Sequence, residues 1–273
     1  MKAGRMSMKY SNNSIKDADF IQSLERGLLI IQAFSNENQT LTVSEAAKIT
    51  NLSRPAVRRI LLTLEHLGYA ESIDGHFSLT ARVLSLGYAY ISSKNIWDIA
   101  HPHMRDLVEQ TGESTSISVL NGDEIVYVAR IPTKRIMMIA LDVGSRLPAY
   151  ATSMGQVLLA NLSPSELDHY FTAVDLKSFT ERTVSSQSQL KERLTQINTD
   201  GWAFVEQQLE EGLSSLAAPI RNHEGKVIAA INISSHANRI NKEMLNDKFL
   251  PLLLKTAENI SIDLSKSHRI VRL

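Results

Sequence analysis

Apolar residues recur every three or four positions over residues 20–34, which is the spacing of one face of a helix. They are Phe20, Ile21, Leu24, Leu28, Ile31 and Phe34. We therefore predict an amphipathic helix over this segment, with Asp17 or Asp19 as its N-cap. Residues 1–18 carry no such pattern and are expected to form a flexible polar tail.

The same spacing returns after Ser53, in Val57, Ile60, Leu61, Leu64 and Leu67. Ser53 is the expected N-cap of this second long helix, Pro55 is tolerated in its first turn, and Gly68 ends it. A shorter helix over residues 45–49, capped by Ser44, is predicted before it. A tight turn is expected to connect the two.

Two strand-like runs follow, and Asp74-Gly75 between them is a strong signal for a two-residue hairpin. Helix, short helix, turn, helix and hairpin form the order of a winged helix-turn-helix. In that motif the third helix enters the DNA major groove with its N-terminal residues nearest the base edges. We therefore expect double-stranded operator DNA as a partner. The candidate contacts to phosphates and bases are Ser44, Ser53, Arg54, Pro55, Ala56, Arg58, Arg59 and His76.

The helical pattern resumes after the hairpin and is interpreted as a linker helix over residues 83–96. It separates a DNA-binding domain, residues 19–82, from an effector-binding and oligomerisation domain, residues 97–273. The second domain is expected to open with a helix over residues 97–110, and Pro102 is expected near the start of a helix.

Beyond residue 111 the apolar period changes from helical to the period typical of strands. Strands are predicted over residues 115–120, 124–130, 136–141, 202–205, 213–219 and 227–234. Helices are predicted over residues 155–160, 163–171, 187–198 and 242–264. These runs predict an α+β domain with a mostly antiparallel sheet and helices packed against it.

The composition fits two ordinary domains, since 43% of the 273 residues are hydrophobic and 21% are charged. The net charge is zero, but residues 1–95 hold eleven basic and eight acidic side chains, leaving 18 and 21 for the remainder. An anionic partner is therefore expected for the first part alone. The chain has no cysteine, which excludes disulfides and thiol catalysis. No apolar run has the length of a membrane helix, so we expect a cytoplasmic protein with no membrane partner.

The two parts together resemble the IclR family of bacterial transcriptional regulators from about Asp19 onwards. The segments that carry the resemblance include LTVSEAAKITNLSRPAVRRILLTLEHLGYAES, GSRLPAYATSMGQVLLA, DGWAFVEQQLEEGLSSLAAPI and VIAAINISSHANRI. The chain is most similar to the branch that regulates protocatechuate and p-hydroxybenzoate catabolism. The resemblance implies a homodimer or homotetramer, a GAF-like effector domain, and activation or repression, with RNA polymerase as a further partner.

The resemblance also implies an effector pocket between the sheet and the segment RLPAYATSMG. Its expected residues are Ile136, Ile139, Tyr150, Ser153, Met154, Leu213, Ser215, Asn232 and Ser234. Backbone N–H groups at the start of the following helix would hold a carboxylate. Apolar walls with few polar groups suit a small aromatic acid, protocatechuate or a close hydroxybenzoate. An ordinary core position is an equal alternative for Ile136, Ile139 and Leu213.

An enzyme is a second class to consider, but the chain has neither a GxSxG elbow nor a glycine-rich phosphate loop. His101 and His103 do not share one helix face, so we expect no metal site, and we expect no cofactor. Arg130 and Arg146 could pair with a ligand carboxylate or form internal salt bridges. The pattern is also compatible with a repressor that responds to a different small carboxylate, and with a constitutive architectural DNA-binding protein.

Overall fold

The computed structural model describes residues 16, 19–35, 37–86, 96–133, 141–239 and 242–270. The chain forms two compact units, Met1–Ser93 and Lys94–Leu273. Most of the predicted tail, most of the linker helix, and the predicted strand over residues 136–141 apart from Leu141 lie outside the described residues. Among the helices that the structure describes, none has the length and apolar character needed to span a membrane.

The first unit packs helices on a small antiparallel sheet in which β3 lies between β1 and β2. Its helices are α1 (Gln22–Ala33), α2 (Val43–Thr50) and α3 (Arg54–His66), and its strands are β1 (Thr40–Leu41), β2 (Ala70–Ile73) and β3 (His76–Leu79). Its core contains Ile30, Ala46, Val57, Leu61 and Phe77. The order confirms the predicted winged helix-turn-helix, and β1 is a strand that the apolar pattern did not indicate.

Helix α2 begins earlier than expected because Thr42, and not Ser44, is its N-cap. Thr42 Oγ1 accepts a hydrogen bond from the Glu45 N–H at 3.3 Å, and the Glu45 carboxylate accepts one from the Thr42 N–H at 2.8 Å. Ser44 therefore lies in the first turn of α2, where it is exposed. At α3, Ser53 occupies the predicted N-cap position, although its hydroxyl makes no capping hydrogen bond.

The apolar stripe predicted over residues 20–34 is only partly buried. The buried residues of α1 are Leu29, Ile30 and Ala33, whereas Phe20, Ile21, Leu24 and Leu28 are exposed. The helix starts after Ile21, which holds the N-cap position without a side-chain hydrogen bond. Asp19 is therefore not the cap, and Asp17 lies outside the described residues.

The wing turns at Asp74 and Gly75, as predicted. Both residues have positive φ, 50° and 79°, which is what a two-residue turn of type I′ requires. Ile73 and His76 are paired across this turn. The turn therefore places His76 at the start of the returning strand.

The second unit contains a six-stranded antiparallel sheet with the order β6-β5-β4-β9-β8-β7. The strands are β4 (Ser114–Asn121), β5 (Glu124–Ile131), β6 (Arg146–Pro148), β7 (Ala203–Glu206), β8 (Leu213–Arg221) and β9 (Val227–His236). The helices are α4 (Ile96–Thr111), α5 (Ser153–Ala160), α6 (Pro164–Ala173), α7 (Gln187–Asp200), α8 (Lys242–Met244) and α9 (Leu250–Ile270), with a π-helical segment, Leu245–Phe249, before the last. The predicted α+β class is confirmed, and β6 is an additional strand.

Helices cover both faces of this sheet. Helices α5 and α7 pack on the face that carries Tyr127, Ala217 and Ala230. The neighbouring residues Leu216 and Ile231 are also fully buried. Because successive strand residues point to opposite faces, they lie on the other face, which α4 and α9 cover.

Pro102 lies inside α4 and not at the start of a helix, where it was expected. The helix begins at Ile96 and continues past the proline to Thr111.

The residue after the proline connects two helices: His103 Nε2 lies 3.0 Å from a carboxylate oxygen of Asp263. This contact joins α4 to α9 on the face of the sheet opposite α5.

Helix α5 approaches the preceding 3-10 turn, Ala149–Ala151, so closely that only glycine fits at position 155. An ideal Cβ on Gly155 would lie 2.1 Å from the Ala149 carbonyl oxygen and 2.4 Å from the Ala149 Cα. The Gly155 N–H also donates to the hydroxyl of the N-cap residue, Thr152, at 3.1 Å. The glycine therefore fixes where α5 starts relative to the sheet.

We predict that Gly155→Ala lowers the free energy of unfolding of the second unit by roughly 1–3 kcal/mol or more, because backbone atoms must move to admit the methyl group. Chemical denaturation followed by circular dichroism measures this change. The matched control is Gly27→Ala in α1, where nothing lies within 4 Å of the added methyl group. An unchanged midpoint for Gly155→Ala would contradict the close approach.

Candidate functional site

The predicted DNA-contacting residues lie on the surface of the first unit at the start of α3. Ser53, Arg54, Pro55, Arg58 and Arg59 are exposed, and Ala56 is half-buried. The opposite side of the same helix is buried through Val57, Leu61 and Leu64. This arrangement leaves two adjacent arginines and the helix N-terminus free to face a phosphate backbone or base edges.

His76 in the wing lies near the start of α2. The pKa of Glu45 is lowered by hydrogen bonds from the backbone and hydroxyl of Thr42, and the charge of His76 adds to the effect. Since Glu45 directly follows Ser44, the wing histidine and the start of α2 belong to one region of the surface. Both His76 and Ser44 are exposed there.

The second unit contains a cavity between the sheet and the start of α5. It leaves about 450 Å³ of space not filled by atoms, including the part open to solvent. Six of the nine predicted effector-binding residues line it, namely Ser153, Met154, Leu213, Ser215, Asn232 and Ser234. Ile136 and Ile139 lie outside the described residues.

Most of the remaining wall is apolar. It is formed by Tyr127, Leu141, Leu147, Ala151, Val205 and Leu209, with Thr152 and Gln208 as further polar contributors. Burial raises the pKa of the Tyr127 phenol to about 12, so this residue is neutral at physiological pH. A wall of this composition suits a ligand with a flat apolar body.

Four polar side chains of the cavity form one hydrogen-bonded group, the serine–asparagine cluster, which consists of Ser153, Ser215, Asn232 and Ser234. The hydroxyl oxygens of Ser153 and Ser215 lie 2.7 Å apart. Asn232 Nδ2 donates to Ser215 Oγ at 2.9 Å and to Ser234 Oγ at 2.8 Å. Its Oδ1 accepts the buried N–H of Ser116 at 3.0 Å. Because that backbone N–H can only donate, it fixes which end of the amide faces the serines.

Strand register brings these residues together. Ser215 on β8 is directly opposite Ser234 on β9, and Val205 on β7 is opposite Ser215. Asn232 is two residues before Ser234 and therefore points to the same face. Ser153 contacts the cluster from α5, which packs on this face of the sheet, because it is the first residue of that helix after the Thr152 cap.

The start of α5 also presents backbone donors. The N–H groups of Ser153 and Met154 have no acceptor among the described residues, as expected in the first turn of a helix. The next N–H, that of Gly155, is taken by Thr152. The structure thus places two backbone donors beside the serine–asparagine cluster.

Tyr150, the ninth predicted residue, does not line the cavity. Its hydroxyl donates to the Lys177 carbonyl oxygen and accepts the Lys177 N–H, both at 2.8 Å. Its ring stacks on Phe179 with 6.1 Å between the centroids. The side chain therefore holds the segment after α6 against the turn that precedes α5.

The two arginines considered for a ligand carboxylate both contact protein groups. Arg146 Nε donates to the Glu124 carboxylate at 2.8 Å, which is a salt bridge across β5 and β6. Arg130 Nη1 donates to Ser116 Oγ at 3.2 Å. Within the residues that the structure describes, no group of three or more His, Asp or Glu side chains could hold a metal ion.

The sequence pattern did not indicate Gln156 and Gln208. Gln156 is fully buried in α5, and Gln208 lines the cavity with an exposed fraction of 8%. The sequence holds a signal for Gln156 only, since a glutamine among the apolar residues of MGQVLLA is unusual for a core helix.

A winged helix-turn-helix joined in one chain to an α+β domain with a small, partly polar cavity defines a class of protein. That class is the DNA-binding transcriptional regulator with an effector-binding domain. Comparison with known proteins supports this class and identifies the family.

The chain belongs to the IclR family. The IclR helix-turn-helix domain matches residues 23–74, and the family described as Bacterial transcriptional regulator IclR C-terminal matches residues 88–262. The chain is therefore an IclR-type DNA-binding transcriptional regulator and not an enzyme.

Similar proteins cover almost the whole chain. The Pca regulon regulatory protein of Pseudomonas putida is 42% identical over 89% of this chain and 84% of its own length. The p-hydroxybenzoate hydroxylase transcriptional activator of Acinetobacter baylyi is 35% identical over 92% and 94%. A crystal structure of a proposed transcriptional regulator from Rhodococcus sp. RHA1 is 46% identical, covers 90% of this chain and 98% of its own, and has a TM-score of 0.80.

We predict that Asn232→Ala lowers the free energy of unfolding by about 1–3 kcal/mol, because the buried Ser116 N–H loses its acceptor. Urea denaturation measures the change. Asn238→Ala is the matched control, since Asn238 is exposed and only its backbone N–H donates a hydrogen bond. Equal stability of the two variants would show that the cluster contributes nothing to folding.

Proposed function

We propose that this regulator controls genes of aromatic acid catabolism and that its effector is protocatechuate or a close hydroxybenzoate. The observation that carries the proposal is the serine–asparagine cluster beside two unpaired backbone N–H groups in a mostly apolar cavity. Residues 19–82 would bind operator DNA, and residues 97–273 would bind the effector and hold the oligomer together.

The chemistry of the cavity supports an aromatic acid. Two backbone N–H groups at a helix N-terminus and up to two serine hydroxyls can donate to a carboxylate, since one hydroxyl proton of the Ser153–Ser215 pair lies between those two oxygens. The helix dipole favours a negative charge there. Leucine, valine and tyrosine side chains can cover the two faces of a ring. The identities of 42% and 35% to regulators named for the Pca regulon and for p-hydroxybenzoate hydroxylase point to the same ligand class.

The exposed end of α3 supports binding in the DNA major groove. Ser53, Arg54, Pro55, Ala56, Arg58 and Arg59 would meet base edges and phosphates, while Ser44 would meet a phosphate and His76 the adjacent groove or backbone. The exposed apolar residues of α1, among them Leu24 and Leu28, support pairing of two DNA-binding domains, as a palindromic operator requires. An effector would then act by binding one arrangement of the oligomer more tightly than another.

For DNA binding, we predict that Arg58→Ala weakens specific operator affinity by about 1–3 kcal/mol while effector binding is unchanged. Fluorescence anisotropy with the promoter fragment upstream of the regulated genes measures the first quantity, and calorimetry the second. Arg105→Ala, an exposed arginine of α4, serves as the control. Unchanged operator affinity in Arg58→Ala would remove helix α3 from the proposed interface.

For effector binding, we predict a saturable rise in Tm with protocatechuate or 4-hydroxybenzoate. A ligand at 100 times its Kd stabilises the native state by about 2.7 kcal/mol, which a thermal-shift titration detects easily. Acetate and pyruvate are the control acids, because they carry a carboxylate without a ring. A shift with pyruvate alone would move the effector to another class of carboxylate. No shift with any acid would favour a constitutive DNA-binding protein.

A further inference from the structure

Behind the cavity wall, a chain of side-chain hydrogen bonds joins the Arg193 guanidinium on α7 to the amides of Gln156 and Gln208. Arg193 Nε donates to Gln156 Oε1 at 3.2 Å, and its Nη2 donates to the Phe204 carbonyl oxygen. Gln156 Nε2 donates in turn to the Tyr150 carbonyl oxygen at 2.8 Å and to Gln208 Oε1 at 3.0 Å. The chain therefore runs from a charged residue outside the cavity to Gln208 on its wall.

The partners of Gln156 fix which atom donates and which atom accepts in each of these hydrogen bonds. A guanidinium can only donate and a backbone carbonyl can only accept. Gln156 must therefore turn its oxygen to Arg193 and its nitrogen to the carbonyl of Tyr150. That same nitrogen meets Gln208, so the atom that Gln208 offers in return is its oxygen.

The amide nitrogen of Gln208 therefore takes no part in this chain of hydrogen bonds. Its Nε2 has no acceptor among the described residues, although the side chain is more than nine-tenths buried and lines the cavity. The main chain at this position is also held, because Thr183 Oγ1 donates to the Gln208 carbonyl oxygen at 2.6 Å. No hydrogen bond joins Gln208 to the serine–asparagine cluster within the described residues, so it is a second, separate polar point on the wall.

We propose that Gln208 determines effector specificity by donating a hydrogen bond to a second oxygen of the ligand, with Gln156 and Arg193 as positioning residues. The effector class is then an aromatic acid with an oxygen acceptor on its ring, in addition to the carboxylate. This inference rests on the proposed function, because it assumes that the cavity takes an aromatic acid.

The test measures the Kd values of benzoate, the 3- and 4-hydroxybenzoates and the 3- and 4-aminobenzoates by calorimetry on the full chain. An aromatic amine donates well but accepts poorly, because its lone pair is delocalised into the ring. At one ring position we expect the hydroxyl to improve affinity over benzoate by roughly three- to tenfold, and the amino group to give no such gain.

The variant Gln208→Met keeps the length of the side chain and removes the donor. It is expected to abolish the preference for the hydroxylated acid while benzoate binds as before. Gln196→Met, on the exposed side of α7, is the control. Arg193→Leu should reduce the same preference without touching the ligand, and Arg193→Lys should restore part of it. A purely structural role of Arg193 would instead lower stability and weaken all five ligands equally.

The outcomes separate the two proposals. A preference for the hydroxybenzoate that persists unchanged in Gln208→Met overturns the role of Gln208, and so does an amino group that gains as much as the hydroxyl. Failure of all five acids to bind the unmodified chain contradicts the proposed function, and with it the inference built on the same cavity.

Discussion

The side-chain amide of Asn232 is buried in the middle of the second unit's sheet, and both of its polar atoms need hydrogen-bond partners there. A buried amide without partners costs more free energy than a typical hydrogen bond returns. Asn232 avoids this cost by accepting from Ser116 on β4 and donating to serines on β8 and β9. The same contacts hold three strands in register and leave serine hydroxyls at the cavity wall.

A second constraint works from the opposite side of the cavity. Gly155 permits α5 to start where a side chain would collide with the Ala149 backbone. If α5 began further away, Ser153 could not come within 2.7 Å of Ser215. The helix and the sheet therefore meet in a polar contact at the cavity and in an apolar one beyond it, where Val157 and Leu159 are fully buried. The polar residues of the cavity wall therefore also help to hold α5 against the sheet.

Local signals in the sequence were sufficient for the fold class and for most of the described elements, but not for the short strands β1 and β6. The Asp74-Gly75 turn and the apolar runs of β8 and β9 each depend on neighbouring residues only. Predictions were wrong where two local signals competed. Thr42 and Ser44 can both cap a helix, and Thr42 prevails because Glu45 stands at the right distance to complete the capping box. For α1 the predicted helix is present, but periodicity identifies an apolar face without showing what covers it, and part of this face is exposed.

The cavity shows the limit of sequence reasoning more sharply. The serine–asparagine cluster was accessible through resemblance to a family, but Arg193, Gln156 and Gln208 are joined only by tertiary contacts over 37 and 52 residues. Such a network leaves no pattern among neighbouring residues of the sequence, yet it orders the Gln208 side chain on the cavity wall before any ligand binds. The loop that carries Gln208 is closed by Gln207, whose N–H donates to the Leu213 carbonyl oxygen at 2.7 Å and whose side-chain oxygen accepts the Gly212 N–H at 2.9 Å. A ligand that pairs with an already ordered donor does not have to order it, so even one neutral hydrogen bond can separate closely related acids.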